Sequence, residues 1–148
     1  METELIDLFD GKYAFLSNFY ECSVTYNNLT YGSSESAFQA QKTKDIKERK
    51  EFVNLTPRDA KKEGRKVKLR EDWGDIKDDI MYEVVYSKFT QNKDLGKQLV
   101  ATYPKRLVEG NTWHDTYWGL DYNTREGENH LGKILMRVRE ELMLKGVK

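Results

Sequence analysis

Leu29-Thr-Tyr31-Gly-Ser-Ser-Glu35-Ser-Ala-Phe38-Gln39-Ala-Gln-Lys42 is where the chain stops reading as strand and starts reading as helix. Leu29–Tyr31 and Cys22–Tyr26 flank Asn27-Asn28, residue types suited to a tight hairpin turn. The two serines then open a helix on which Glu35, Phe38, Gln39 and Lys42 sit at relative positions 0, 3, 4 and 7. Such spacings share one face. That face offers an acid, a ring, an amide and an amine, with no aliphatic residue. Helices that pack into a core usually bury Leu, Ile or Val instead. The face reads as the wall of a polar pocket.

Downstream, helix signals dominate. Thr56-Pro57-Arg-Asp59 supplies a capping hydroxyl, a proline at the first helical position and an acid at the third, and Gly64 closes that helix. Ile80, Met81, Val84, Val85 and Phe89 predict a helix over 78–89, and Leu95, Leu99 and Val100 a shorter one ending before Pro104. Leu107-Val108-Glu109 reads as a brief strand. Leu131, Ile134, Leu135, Val138 and Leu142 form the stripe of a last helix, with Arg137, Arg139, Glu140 and Glu141 around the rest and Asn129 as its cap. The expected fold is α+β: one mostly helical domain over 1–148, with a small β element from the N-terminal third.

Composition narrows the function. The 25 basic and 25 acidic residues cancel, so a general electrostatic grip on a nucleic-acid backbone has no support. A modified base or nucleic-acid end still needs only a local field. Cys22 is the only cysteine, which excludes an intrachain disulfide and a cysteine-based zinc site. The start Met1-Glu-Thr-Glu-Leu-Ile-Asp lacks the regions of a signal peptide, and no apolar run approaches the ~20 residues that span a bilayer. The expectation is a cytoplasmic protein with no membrane contact.

Four further stretches place polar or aromatic groups where packing alone would not ask for them. Phe15-Leu-Ser-Asn18-Phe19-Tyr20 reads either as a ligand-facing loop or as a turn pinned by core aromatics. Gly64-Arg65 with Trp73 offers a phosphate-binding guanidinium and a stacking ring, or a surface Arg and a core Trp. Glu109 through Gly119 carries Trp113-His114-Asp115 and Tyr117-Trp118-Gly119 in a loop. With two histidines in the chain and no ligand spacing near them, no metal is expected. Gly127-Glu-Asn129-His-Leu-Gly132 opens the last helix, as an anion site or as a plain cap. There is no Walker loop, no dinucleotide glycine fingerprint and no GxSxG elbow.

Taken in order, these stretches closely resemble the NADAR, or YbiA-like, family. The matching pieces are Phe15-Leu-Ser-Asn-Phe19, Ser34-Glu35, Phe38-Gln39-Ala40, Lys42, Gly64-Arg65, Trp73 and Met81. They continue with Lys88-Phe89-Thr-Gln91-Asn92, Leu99 through Thr102, Leu107-Val108-Glu109, Asp115, Trp118-Gly119 and Gly127 through Arg139. The resemblance covers residues 8 to 143. It implies an N-glycosidase that cleaves a bond between ribose C1 and nitrogen, needing no cofactor. The substrates it implies are phosphorylated ribosylamino-pyrimidine intermediates of riboflavin biosynthesis, or guanine carrying ADP-ribose, as nucleobase or in nucleic acid. Ser36 and Ala37 stand where bulkier residues often follow the Glu, and Leu120 replaces a second Gly often found after Trp-Gly. These departures are expected to reshape the pocket.

On this reading Glu35 and Asp115 are the candidate carboxylates, one for water activation or proton transfer and one for holding the ribose. Lys42, two helical turns and about 10 Å beyond Glu35, attacks C1 and forms a Schiff base with the opened ribose. Trp73 and Trp118 sandwich or edge the base, Arg65 holds phosphate, Asn18 and Asn129 orient hydroxyls, and Phe19 and Gly119 complete the substrate contacts. The alternative is a non-catalytic sensor of ADP-ribose or a nucleotide that uses the same pocket; a partner-binding helical domain is a further one.

Overall fold

In the computed structural model, which describes residues 5–148, the chain runs through short strands and six α-helices among the described residues. In order these are β1 (Leu5–Ile6), a 3-10 helix (Gly11–Leu16), β2 (Glu21–Tyr26), β3 (Leu29–Ser33), α1 (Ser34–Ala40), α2 (Ile46–Glu51) and α3 (Pro57–Glu63). There follow α4 (Trp73–Gln91), α5 (Lys93–Ala101), β4 (Arg106–Leu107), β5 (Gly110–Asn111), β6 (Leu120–Asp121) and α6 (His130–Leu144). Contacts divide them into two compact units, one of Asn18–Asn92 and one of the described residues up to Ser17 with Lys93–Lys148. The α+β class stands as read. The strands are more scattered than expected: the hairpin in the N-terminal third is joined by two parallel pairs, β1 with β4 and β5 with β6.

In the Asn18–Asn92 unit the hairpin forms as expected. Asn27 and Asn28 both take positive φ, 49° and 70°, and the strands pair Val24 with Tyr31 and Tyr26 with Leu29. Two left-handed residues in a row give the turn a twist matching that of its strands. The side chain of Gln91 then extends the edge of β2, accepting from Thr25 N and donating to Thr25 O, both at 2.8 Å. Asn92 donates to Ser23 O at 2.9 Å. The end of α4 is therefore fastened to the sheet edge by two amides.

Helix α1 differs from its expected form. It has seven residues, all buried, and ends at Ala40. It packs against the hairpin, α2, α3 and α4, and the exposure it keeps lies on the face of Glu35, Phe38 and Gln39. Its serine hydroxyls are matched inside the protein: Ser33 caps the Ser36 N–H at 3.0 Å, Ser34 donates to Asn18 Oδ1 at 2.9 Å, and Ser36 donates to Phe52 O. Buried polar groups are tolerated on such terms. Helix α3 begins with Thr56 accepting from Asp59 N, as expected, while α4 starts five residues before the expected position, at Trp73.

In the other unit α6 buries Leu131, Leu135, Val138 and Leu142 of the expected stripe, while Ile134 is part-exposed. Arg139 corrects the sequence reading. It is buried, not on the solvent side, and its guanidinium donates to Thr102 Oγ1 at 3.0 Å and Lys105 O at 2.7 Å.

Lys88 on α4 is wholly buried, its ammonium 5.0 Å and 5.6 Å from the ring centroids of Phe89 and Tyr20. Burial pushes its pKa down to about 8, against an opposing pull from Cys22. An unfolded lysine titrates near ~10.4. Between those values the unfolded chain binds more protons than the folded one, so this residue's contribution to stability rises with pH. In urea unfolding, wild type should therefore gain on Lys88→Met by on the order of 2 kcal/mol between pH 7 and pH 10. A difference that stays constant across that range would contradict it.

Candidate active site

The Asn18–Asn92 unit gathers most of the reactive side chains. Glu35 is 8% exposed, and its carboxylate Oε2 accepts from Gln39 Nε2 at 2.7 Å. Its backbone N–H is held by Asn18 O at 3.0 Å, and Asn18 Nδ2 reaches Met81 Sδ at 3.4 Å. Both ends of the Asn18 side chain are thus committed within the protein. They seat the first turn of α1 and with it Glu35, a placing contact in addition to the hydroxyl-orienting role the sequence reading gave Asn18.

Lys42 does not lie on the helix. It follows Gln41 in a turn in which Lys42 N–H donates to Gln39 O at 3.2 Å, so the two-turn separation from Glu35 does not apply. The turn is held from outside: Arg70 N–H donates to Lys42 O at 2.9 Å and its guanidinium to Gln41 O at 3.3 Å, while its other nitrogens pair with Asp72. The half-buried Lys42 amine titrates below the ordinary lysine range. Desolvation is the main cause; Arg65, Lys61 and Lys77 push the same way, and Glu35 opposes them. This is how a protein readies a lysine to act as a nucleophile.

Around it, Arg65 is exposed, and Phe19 is 43% exposed with the Lys61 ammonium 5.8 Å from its ring centroid. Trp73 is 8% exposed and packs on Phe38 at 5.1 Å between centroids, with the rings tilted by 54°. Phe19 is the more exposed ring here, and Trp73 packs against Phe38. Gly64 has the φ of an ordinary helical residue, −60°. Its missing side chain serves Gln39: a Cβ there would lie 2.0 Å from Gln39 Oε1. That oxygen is buried and has no hydrogen-bond partner, a state that costs about 1–3 kcal/mol.

In the other unit, Asp115 turns its own loop. Its Oδ1 accepts from Tyr117 N and Trp118 N, and its N–H is held by Asn111 Oδ1 at 2.9 Å. Trp118 is half-buried and meets Tyr117 edge-on at 4.9 Å. Gly119 is buried, and a Cβ there would meet Glu109 O at 1.9 Å and Glu109 Oε2 at 2.3 Å. Asn129 is 2% exposed with φ 54°, and its amide is spent on Glu109 N and Leu107 O. It therefore does not cap α6 with its side chain. The N–H groups of residues 128 to 131 donate to the carbonyls of Thr116, Gly119, Tyr117 and Trp118, which removes the anion reading of that helix start. His114 Nδ1 lies 2.6 Å from Asp121 Oδ2.

The NADAR domain profile matches residues 8–143. The chain belongs to the NADAR family. It is 38% identical to the N-glycosidase YbiA of Escherichia coli (strain K12) over 149 residues, covering 97% of this chain and 92% of that protein. It is 40% identical over 138 residues to a riboflavin biosynthesis protein of Vibrio vulnificus, covering 90% of this chain but 36% of that one, about a third of its length. The NMR structure of E. coli YbiA superposes with a TM-score of 0.85 at 34% identity, over 100% of this chain and 90% of that structure.

The family resemblance drew attention to Glu35, Lys42 and Arg65 but passed over what holds them. Gln39 beside Glu35 and Arg70 behind Lys42 are neighbours it did not single out as site residues; in the other unit it did not single out Glu109, which holds Asn129. Arg70 had no pattern to reveal it, since its partners lie 29 residues back along the chain. Competitive labelling with acetic anhydride, read by mass spectrometry, should give Lys42 a half-reactivity pH below that of the exposed lysines. Arg65→Gln should raise that pH and Glu35→Gln lower it, each changing the rate at pH 7.5 by roughly two- to fivefold. A Lys42 that titrates with the exposed lysines would exclude the lowered pKa.

Proposed function

We propose that this NADAR protein is an N-glycosidase that hydrolyses the ribose C1–N bond of a phosphorylated ribosylamino-pyrimidine of riboflavin biosynthesis or of guanine carrying ADP-ribose. The observation that carries this is a lysine of lowered pKa with a buried carboxylate acting on it and three cations around it. The names of the relatives, N-glycosidase and riboflavin biosynthesis protein, support the reaction class.

The chemistry follows from the groups. The C1–N bond breaks with its electron pair moving to the base nitrogen, which takes up the proton that Glu35 receives from the Lys42 amine. The neutral Lys42 amine bonds to C1 and gives up a proton, for which Glu35 is the acceptor. Opening of the ribose ring turns this adduct into a Schiff base, and water adding at C1 releases the sugar and the free amine. Arg65, with Lys61 and Lys77, supplies the positive field for a substrate phosphate. Phe19 is the more exposed ring and is assigned to the base, and Trp73, by its burial, fits an edge role better than a sandwich. For Asp115 and Trp118 the resemblance supports ribose holding and base stacking. Gly119 and Asn129 are assigned to shaping their loop. The activity is assigned to the whole chain in the cytoplasm, since the family match runs through both units; no helix of the described residues is long and apolar enough to cross a membrane.

Incubation with each substrate should release free base, detected by mass spectrometry. Glu35→Gln and Lys42→Ala should each lower kcat by ~10²- to 10⁴-fold, with unchanged circular dichroism, and Asp115→Asn should weaken turnover. Borohydride added during turnover should fix one sugar to Lys42. ADP-ribose binding with no base released from either substrate is the result expected of a sensor instead. An active Lys42→Ala protein would end the covalent route.

A further inference from the structure

We infer that Gln39 is a positioning residue that orients the carboxylate of Glu35 through its amide, and that Gly64 is the gap that lets this amide stand there. The inference rests on the reading of Glu35 as the reacting carboxylate. It begins from an arrangement with no purpose in packing. Gln39 is 6% exposed, and its Nε2 lies 2.7 Å from Glu35 Oε2. Its Oε1 is buried without a partner, against the face where a Gly64 side chain would be.

An apolar residue of similar size would fill the same volume and leave no unpaired oxygen. Turning the amide over would aim an oxygen at the carboxylate. The observed orientation aims a donor at Glu35 and so favours its ionised form, in which both oxygens can only accept. Gly64 fits this account and no conformational one, because its φ of −60° is open to any residue. The nearest atoms to a Cβ there are Oε1 and Cδ of Gln39, at 2.0 and 2.9 Å. A methyl group would push the end of Gln39 aside and leave its chemistry intact.

Other charges act here as well. Lys42 lies in the turn after α1 and couples to Glu35, while Lys61 on α3, Arg65 just after it and Lys77 on α4 act on Lys42. All four remain in the variants below, so a change reports Gln39 alone.

The test titrates Glu35 directly in the free protein, by carboxyl ¹³C NMR assigned by the loss of the signal in Glu35→Gln. In Gln39→Leu the midpoint should rise by about one pH unit or more, because the charged form loses a hydrogen bond. Gly64→Ala should shift it the same way, and the double variant should go no further than Gln39→Leu. The acid limb of the pH–rate profile should follow, with kcat falling more than KM changes. A Glu35 midpoint unmoved in Gln39→Leu overturns the proposal; if that variant does not fold, an unmoved midpoint in Gly64→Ala does so. Full turnover by Glu35→Gln would remove the catalytic reading separately, whichever way the midpoint moves.

Discussion

A short helix buried on every side yet rich in polar side chains is the constraint on which the Asn18–Asn92 unit depends. Burying a hydroxyl, an amide and a carboxylate is tolerable only where each meets a partner. The surroundings of α1 are built accordingly, with Gln39 Oε1 the exception. Asn18 comes in to take Ser34 and the Glu35 N–H, Phe52 offers its carbonyl to Ser36, and Gly64 gives up a side chain so that Gln39 fits. One carboxylate is thereby fixed in place on a scaffold with little freedom. Fixed geometry is what a catalytic carboxylate needs.

The second unit solves a related problem with backbone. Asn129 and Gly119 lie in a knot in which Glu109, Leu107 and the loop of residues 115–118 exchange hydrogen bonds. The side chain of Asp115 helps to turn that loop. Glycine at 119 is required by proximity to Glu109.

Legibility from the residues followed the range of the forces. The hairpin turn, the cap at Thr56 and the stripe of α6 rest on neighbours a few residues apart, and all three were readable. The α1 face was half readable: periodicity placed Glu35 and Gln39 together, but a periodic pattern cannot say where a helix stops. It ends at Ala40, with Gln41 and Lys42 turning away and held by Arg70 far along the chain. Arg139 was misplaced for a similar reason. A charged residue beside an apolar stripe reads as solvent-facing until the carbonyl and hydroxyl that accept its protons are known. The family resemblance supplied the reaction class, which spacing alone did not.

The clamped turn that carries Lys42 has a mechanical side. Its carbonyl and that of Gln41 are both tied to Arg70, so the root of the side chain is held while four methylene groups separate it from the amine. The amine therefore behaves as the tip of a tethered arm swinging about a fixed pivot. On the covalent route proposed for Lys42, such an arm would let the amine stay bonded to a sugar carbon as the ring opens and the carbon changes position.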